Sequence, residues 1–519
     1  MAAEGREVEL KLELSPSEAA RVLDHPTVRR YATGPAQTRQ LLSVYFDTKD
    51  LGLARAGISL RLRHSGAEHV QTVKWGEGAA AGLFERGELE VAATGERPEL
   101  YAIPDEALRG RVRAALGGDA LEPIFETEMR RTHQILRDGL DEWSLDLDAG
   151  EVRAQGAREG ICELELELVR GDPVRLYELA LELCESFELR LGTRSKAERG
   201  YALRAGELPQ PQKAPALELP NAATLDTALR EIALACLGQI GVNLAPAFEG
   251  ADPEGVHQMR IGVRRMRTVF SVFRPVLPEE RARAIRDELR WLAGELGAVR
   301  DLDVFVGELL GPLSGVRGED VALKRLRAEA EELRDEHRQG LREVLHSRRL
   351  TRLLLELGLW IARASWREQV LSETSAMLFQ PAQMFAGEVL ARLHQRAEKL
   401  GRVAVDGLPA ARHELRITLK KLRYVSEFFQ SLYGAKDARR YLNRLSRLQD
   451  VLGTLNDVAT AGRVLEELLG RVGPPDADSL ARTVGFIEGF AAREDAHSLR
   501  KLESQWKRFD RTRPFWARD

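Results

Sequence analysis

The sequence has only three cysteines, Cys162, Cys184 and Cys236. They show neither zinc-site spacing nor an even number to pair, so no disulfide framework supports the fold and a reducing cytoplasm is the expected setting. Aromatic residues make up 6% of the chain. With no stacking platform, zinc finger or recognition-helix motif, nothing in the sequence points to reading of nucleic-acid bases. No cationic segment leads into an apolar run at the N-terminus, which argues against a secretory signal. The richest apolar stretch, LLLELGLWIA from Leu353 to Ala362, contains a glutamate and is too short to span a bilayer. Net charge is nearly absent too: 77 Lys and Arg against 81 Asp and Glu leave −4. A polyanion site must therefore arise from local segregation of charge.

What is present is the composition of a folded soluble chain, 30% charged and 44% hydrophobic over 519 residues, long enough for two to four domains. Residues 7 to about 200 repeatedly alternate apolar and polar positions, as in EVELKLEL, ISLRLRH, HVQTVKW, LFERGELEVA, EWSLDLDAGEVRA and CELELEL. That period predicts a mainly antiparallel sheet, with short helices near 16–28, 104–116 and 172–191. Pro209, Pro211, Pro215 and Pro220 then break the pattern. Beyond 221, three- and four-residue spacings predict helices over 225–240, 254–273, 279–309, 318–348, 350–364, 382–400, 409–432, 436–469, 476–492 and 495–507. The expected organisation is a sheet-rich domain over 1–203, a linker over 204–220 and an all-α domain over 221–519.

The helical half repeats itself. HQMRIGVRRMRTVFSVF from His257 matches HELRITLKKLRYVSEFF from His413, and at the same offset LRWLAGELGAVRDLDV from Leu289 matches LSRLQDVLGTLNDVAT from Leu445. Two blocks sharing one offset indicate a duplicated unit, approximately 221–375 and 376–519.

The polar faces of the strands carry like charges about 7 Å apart. Glu7, Glu9 and Lys11 share a face of the first strand. Arg61 and Arg63 share a face of ISLRLRH, Lys74 lies on the next strand, and Arg86, Glu88 and Glu90 follow. Arg130 and Arg131 must point oppositely, Asp146 and Asp148 are alternatives in LDLDAG, and Glu163, Glu165 and Glu167 line one face of CELELEL. For any one motif a solvated strand face is the commoner role, with opposite charges pairing weakly at the surface. The number of strands with the same arrangement favours a charged interior. Lines of carboxylates suit hard divalent cations, and the Arg and Lys faces suit phosphate.

Glu7-Val8-Glu9-Leu10-Lys11 resembles the ExExK signature of the CYTH, or triphosphate tunnel metalloenzyme, family. The likeness continues through Arg61, Arg63, Lys74, Arg86, Asp148, the closing Glu163, Glu165 and Glu167, and SKAERGY with Lys196, covering roughly residues 5–203. It implies an eight-stranded antiparallel β tunnel, within an α+β domain, that binds triphosphate with Mg²⁺ or Mn²⁺. Family activities include inorganic, thiamine and RNA triphosphatases and adenylyl cyclase. By this resemblance Glu7 and Glu9 hold metal with Glu165 and Glu167, assisted by Glu163 or Asp148. Lys11 contacts phosphate or orients water, and Arg61, Arg63, Lys74, Arg86, Arg131 and Lys196 clamp phosphoryl oxygens. The expected reaction is hydrolysis of inorganic triphosphate to pyrophosphate and phosphate, with thiamine triphosphate or nucleoside triphosphates as alternative substrates.

In the helical half, His257, Arg260, Arg264 and Arg267 share one helical face beside an apolar stripe of Met259, Val263, Met266, Phe270 and Phe273. His413, Arg416, Lys420 and Arg423 repeat the basic face, with Arg265 and Lys421 expected to widen it. A solvated cationic helix is the competing reading. This half looks like a CHAD domain over roughly 221–510, which implies binding of inorganic polyphosphate and, for the cell, association with polyphosphate granules. The alternative to an enzyme is a non-catalytic protein whose two halves both recognise phosphate chains. An acidic wall favours catalysis, because anion binding alone has no need of one.

Overall fold

The structure, a computed structural model, describes residues 3–517 apart from 67, 77–78, 81, 251, 317–319, 371, 406, 408 and 472–476. Eight long strands form its first part: β1 Ala3–Glu13, β2 Gln37–Asp47, β3 Ile58–Ser65, β4 Glu68–Trp75, β5 Leu83–Ala92, β6 Glu122–Asp138, β7 Asp141–Ala154 and β8 Ala157–Arg170. They pair antiparallel in the order β1-β8-β7-β6-β2-β3-β4-β5, and β5 pairs back with β1. The sheet closes, and the expected eight-stranded tunnel is formed. β2 is the strand that alternation does not announce, because Leu41-Leu42 and Val44-Tyr45-Phe46 place apolar groups at consecutive positions.

The barrel turns the usual arrangement inside out. Leu10, Leu12, Leu60, Leu145, Leu164 and Leu166 alternate with the charged residues and are fully buried. Helices cover this outer face. Leu108, Val112 and Leu116 of α1, Glu106–Leu116, pack on Ile58, Leu60, Val73 and Leu89. α2, Val174–Cys184, lies across β1 and β8. α3, Lys196–Ala205, lies against β6, β7 and β8, where Tyr201 and Leu203 meet Phe125, Met129 and Val152.

The remaining long helices are α4 Leu225–Val242, α5 Glu254–Val272, α6 Glu279–Val304, α7 Val321–Leu345, α8 Arg348–Ala362, α9 Ala382–Val405, α10 Pro409–Phe429, α11 Ala435–Arg471 and α12 Ala477–Asp510. The all-α expectation holds, with one correction: the two helices expected over 476–492 and 495–507 are a single helix, since no Gly or Pro interrupts 490–513. The expected helix starts at 318 and 476 lie outside the described residues. α6 and α11, equivalent in the repeat, pack against each other. The apolar stripes behave as stripes should, Met259, Val263, Phe270, Leu415, Leu419 and Phe429 all being fully buried. Leu225–Glu249 is long and apolar enough to cross a membrane by composition, and half of it is buried inside the protein. By contacts the chain divides into two compact units, Met1–Gln212 with Leu237–Gln258 and Val344–Ser365, and Lys213–Cys236 with Met259–Glu343 and Trp366–Asp519.

Register in the tunnel leaves no room for a side chain at Gly150. A Cβ on Gly150 would lie 1.9 Å from the Glu128 carbonyl oxygen on the neighbouring β6. Gly150→Ala is therefore expected to pry β6 from β7 and to destabilise the tunnel by roughly 1–3 kcal/mol, read as a lower denaturant midpoint.

Candidate functional site

Pleating turns every second side chain of a tunnel strand inward. On β1 this brings Glu7, Glu9 and Lys11 to a cavity of about 170 Å³. Its other walls carry Arg61 and Arg63 from β3, Lys74 from β4, Arg86 from β5, Arg131 from β6, Glu165 and Glu167 from β8, and Lys196 from the first turn of α3. Asp148 and Glu163 are instead almost fully buried, at 1% exposure each. Arg130 is exposed, so register resolves that pair in favour of Arg131, while Asp146 and Asp148 both turn inward to meet it.

Register also sets acids against acids. Glu9 faces Glu167, Asp146 faces Glu165 and Asp148 faces Glu163, an arrangement that repels unless cations intervene. Lys11 donates to Glu9 at 3.0 Å and to Glu165. Lys196 donates to Glu163, to Glu165 at 2.9 Å, and lies 2.7 Å from Asp148. Arg131 forks onto Asp148 at 2.8 and 2.6 Å and reaches Glu165 at 2.5 Å and Asp146 at 3.1 Å. Burial alone would push Glu165 up, but Lys11, Lys196 and Arg131 hold its carboxyl well below the usual range. Burial likewise opposes charge on Lys11 and Lys196, yet the surrounding carboxylates keep both ammonium groups above their ordinary value. Asp148, against its burial, is drawn down to about 2 by Arg131 and Lys196. On the opposite wall, Glu7 accepts from Lys74 at 2.5 Å and Arg86 at 2.8 Å, and Arg86 also reaches Glu9.

Arg61 and Arg63 are held differently. Glu88 and Glu90 stand 3.9 Å from Arg61, and Glu90 stands 3.9 Å from Arg63. The Tyr45 hydroxyl accepts from Arg61 at 3.4 Å. The Nε atoms of both arginines are buried without a hydrogen-bond partner. Burial, reinforced by Arg61 and Arg131, brings the Arg63 guanidinium down to about 10. Neither cation has a carboxylate nearer than 3.9 Å among the described residues.

Two carboxylate triads bring oxygens within 4.8 Å of one another: Glu7, Glu88 and Glu167, and Asp148, Glu163 and Glu165. The expected set joined Glu7 and Glu9 to Glu165 and Glu167. In the structure Glu7 and Glu167 group with Glu88, Glu165 groups with Asp148 and Glu163, and Glu9 lies between Lys11 and Arg86. Burial, with Glu7 close by, pushes the Glu167 carboxyl up to about 8, as befits an acidic cluster short of positive charge. The all-carboxylate donor set fits a hard divalent cation.

In the helical half the two repeats bring their cations together. Arg260 and Arg264 of α5 and Arg416 and Lys420 of α10 are electrostatic neighbours, with Asp301 and Asp457 as nearby acids. Burial together with Arg264, Arg416 and Arg260 drives the Lys420 ammonium down to about 6. Burial and Arg264 bring Arg260 down to about 10. Arg267 is exposed beside Arg264 and Arg290. His413 lines a cavity of about 280 Å³ with Arg412 and Arg416, Arg423 is tied to Glu427 at 3.2 Å, and His257 lies in the first turn of α5. Arg265 and Lys421 do not widen this face, because one residue along a helix turns the side chain by roughly 100°. Arg265 is 5% exposed with its guanidinium over the Phe428 ring. Lys421 donates to Ser271 and lines a separate cavity with Arg392 and Arg396.

Comparison with known proteins agrees with this geometry. The family model of the CYTH domain matches residues 5–201 and that of the CHAD domain matches residues 231–466. The chain is a CYTH domain fused to a CHAD domain. An uncharacterised protein of Mycobacterium tuberculosis is 29% identical over 418 residues, 75% of this chain and 76% of that protein. The inorganic triphosphatase of Haemophilus influenzae is 27% identical over 199 residues, 38% of this chain and 55% of that enzyme. Among solved structures, the CHAD domain from the plant Ricinus communis is 33% identical, with a TM-score of 0.49, and the match covers 57% of this chain and 96% of that one. The CYTH family and the carboxylate clusters together support a metal-dependent phosphohydrolase of the tunnel fold.

Tyr45 and Ser195 also line the CYTH cavity, and neither stands out in the sequence. Tyr45 sits in the one strand without clear alternation, and Ser195 precedes a helix as an ordinary N-cap. Glu88 carried a signal, its place in the Arg86-Glu88-Glu90 alternation. Glu165 is the acceptor shared by Lys11, Lys196 and Arg131, so Glu165→Gln leaves buried cations undercompensated. A loss of about 3 kcal/mol is expected, measured by denaturant unfolding of the purified variant.

Proposed function

We propose that the CYTH domain hydrolyses inorganic triphosphate to pyrophosphate and phosphate with Mg²⁺ or Mn²⁺, and that the CHAD domain binds inorganic polyphosphate. The observation that carries the first part is the pair Arg61 and Arg63, buried cations whose nearest carboxylates stand at 3.9 Å, in a cavity that also holds a carboxylate triad whose Glu167 has no ion-pair partner among the described residues. A polyanion and a divalent cation each resolve one of these imbalances.

Arg61, Arg63 and Lys74 would grip the phosphoryl oxygens, Arg with two donors in a fixed plane. Glu7, Glu88 and Glu167 would hold the cation, with Asp148, Glu163 and Glu165 as a second carboxylate group. When bound, the divalent cation supplies Lewis acidity and neutralises phosphate charge. Lys11 and Lys196 lie against Glu165 and keep the acidic wall in place, and Arg86 fixes Glu7 and Glu9. The narrow tunnel limits access of bulk water, which strengthens every charge interaction inside it. One water is consumed: its oxygen joins the terminal phosphorus, the bridging oxygen leaves with pyrophosphate, and a proton passes to solvent. The charge that builds on the leaving phosphate is met by the arginines.

Phosphate release from tripolyphosphate, thiamine triphosphate, ATP and long polyphosphate, with Mg²⁺ or Mn²⁺ and with chelator, tests the first part. Metal-dependent release from tripolyphosphate is expected to exceed the others, and silence on all four would leave a binding protein. Arg63→Ala should cut kcat/KM on tripolyphosphate by about 10²-fold or more, since the lost contact bears on transition-state charge.

For the CHAD domain the cluster of Arg260, Arg264, Arg416 and Lys420 supports a phosphate-chain ligand over a solvated face. Binding should weaken steeply with salt and exceed binding of DNA or RNA under the same conditions. The Lys420 value of about 6 adds a sign. Above pH 6 the ammonium is largely deprotonated in the free protein, and a polyanion favours its charged form, so binding takes up a proton and weakens as pH rises. Lys420→Arg, which copies Arg264 of the first repeat, should flatten that dependence in calorimetric titrations between pH 6 and 9, whereas an unchanged slope would remove Lys420 from the site.

A further inference from the structure

The tunnel continues past the cavity around Arg61. A second cavity of about 650 Å³ adjoins it, and Arg63, Arg131 and Glu167 border both. Its walls follow from the same pleat. Along β2 the inward series runs from Tyr45 in the inner cavity to Leu41, Arg39 and Gln37 in the outer one. Along β3 it runs from Arg61 through Arg63 to Ser65, and along β6 from Arg131 to His133. From Tyr45 to Gln37 the strand advances roughly 27 Å at the ordinary rise per residue.

The chemistry changes along this path. The inner cavity is walled by tight ion pairs. In the outer one Arg39 is 59% exposed, its contacts being Gln37 at 3.4 Å and Glu68 at 3.9 Å. His133 donates or accepts through Nδ1 at 2.7 Å from Asp146. None of the outer lining residues is Phe, Tyr or Trp, so the flat groups a nucleobase would meet are the His133 ring and the arginine guanidiniums. Loosely held Arg39 continues outward the line of cations begun by Arg61 and Arg63.

Resting on the triphosphatase reading above, we propose that the outer chamber holds the remainder of a linear polyphosphate whose terminal phosphates occupy the inner cavity, and that Arg39 binds the phosphates beyond the third. The chain is then shortened from its end. Water oxygen bonds to the terminal phosphorus, the bridging oxygen departs with the shortened chain, orthophosphate is released, and the proton goes to solvent.

The test compares kcat/KM of the full-length protein on tripolyphosphate, tetrapolyphosphate and a longer linear polyphosphate, for the wild type, Arg39→Ala and Arg39→Lys. Arg39→Ala should lose on the order of tenfold on the two longer chains, mostly in KM, and stay within about twofold on tripolyphosphate, with Arg39→Lys recovering part of the loss. Three results overturn the proposal while leaving the triphosphatase reading intact: equal losses on all chain lengths, no change on any, or wild-type cleavage of tripolyphosphate alone. Failure of the wild type to cleave tripolyphosphate instead overturns the triphosphatase reading, and this inference with it.

Discussion

Carboxylates facing carboxylates across β1, β7 and β8 set the terms for the rest of the tunnel. The register that buries Leu10, Leu12, Leu164 and Leu166 on the outer side necessarily points Glu9, Glu163, Glu165 and Glu167 inward. In bulk water such pairs would cost little, but in a narrow interior an uncompensated charge is expensive. Lys11, Arg131 and Lys196 therefore belong to the fold as much as to the site. Lys196 depends on α3, whose start is fixed by the reciprocal capping of Ser195 and Glu198 and whose body is pinned where Tyr201 meets Phe125 edge-on at 5.0 Å. A helix on the outside of the barrel thus supplies the cation that lets three carboxylates share the inside.

Compensation is complete in one part of the tunnel and partial in two others. Around Glu165, three cations meet the acids at hydrogen-bonding distance. Around Glu7, Glu88 and Glu167 acid is in excess, and around Arg61 and Arg63 cation is in excess. The two imbalances share a small cavity, so a metal ion and a phosphate chain are complementary ligands, each easing the desolvation of the other's partners. The helical cluster differs in kind. Arg260, Arg264, Arg416 and Lys420 outnumber Asp301 and Asp457, and no carboxylate triad stands beside them among the described residues. On the proposed function such a surface retains a polyanion, with Asp301 and Asp457 as its nearby acids. Chemistry is assigned to one half and retention to the other on this difference alone.

The two periods made most of this legible. Alternation exposed the inward charges of β1, β3, β4, β5 and β8, and the repeat exposed α5 with α10 and α6 with α11. Three things lay beyond it. β2 was hidden because both of its faces are partly covered, which erases alternation, and Tyr45 was hidden with it. The grouping of Glu88 with Glu7 and Glu167 depends on cross-strand register, which no single strand reveals. Arg265 and Lys421 were assigned to the basic face by type, when their helical angle sends one under Phe428 and the other to a different cavity.

A common device underlies both halves. In each, one face of an element carries the apolar burial that holds the fold and the other carries charges left in conflict with one another. The leucines outside the barrel and the Met259, Val263, Phe270 stripe of α5 are fully buried, and that burial offsets the repulsion stored on the opposite face. Because strand and helix keep the two faces on separate residues, the charged face can be left unbalanced without disturbing the apolar one. Ligand binding then releases a repulsion the fold already tolerates. On the proposed function, affinity for phosphate chains arises in the charge distribution of the folded protein itself.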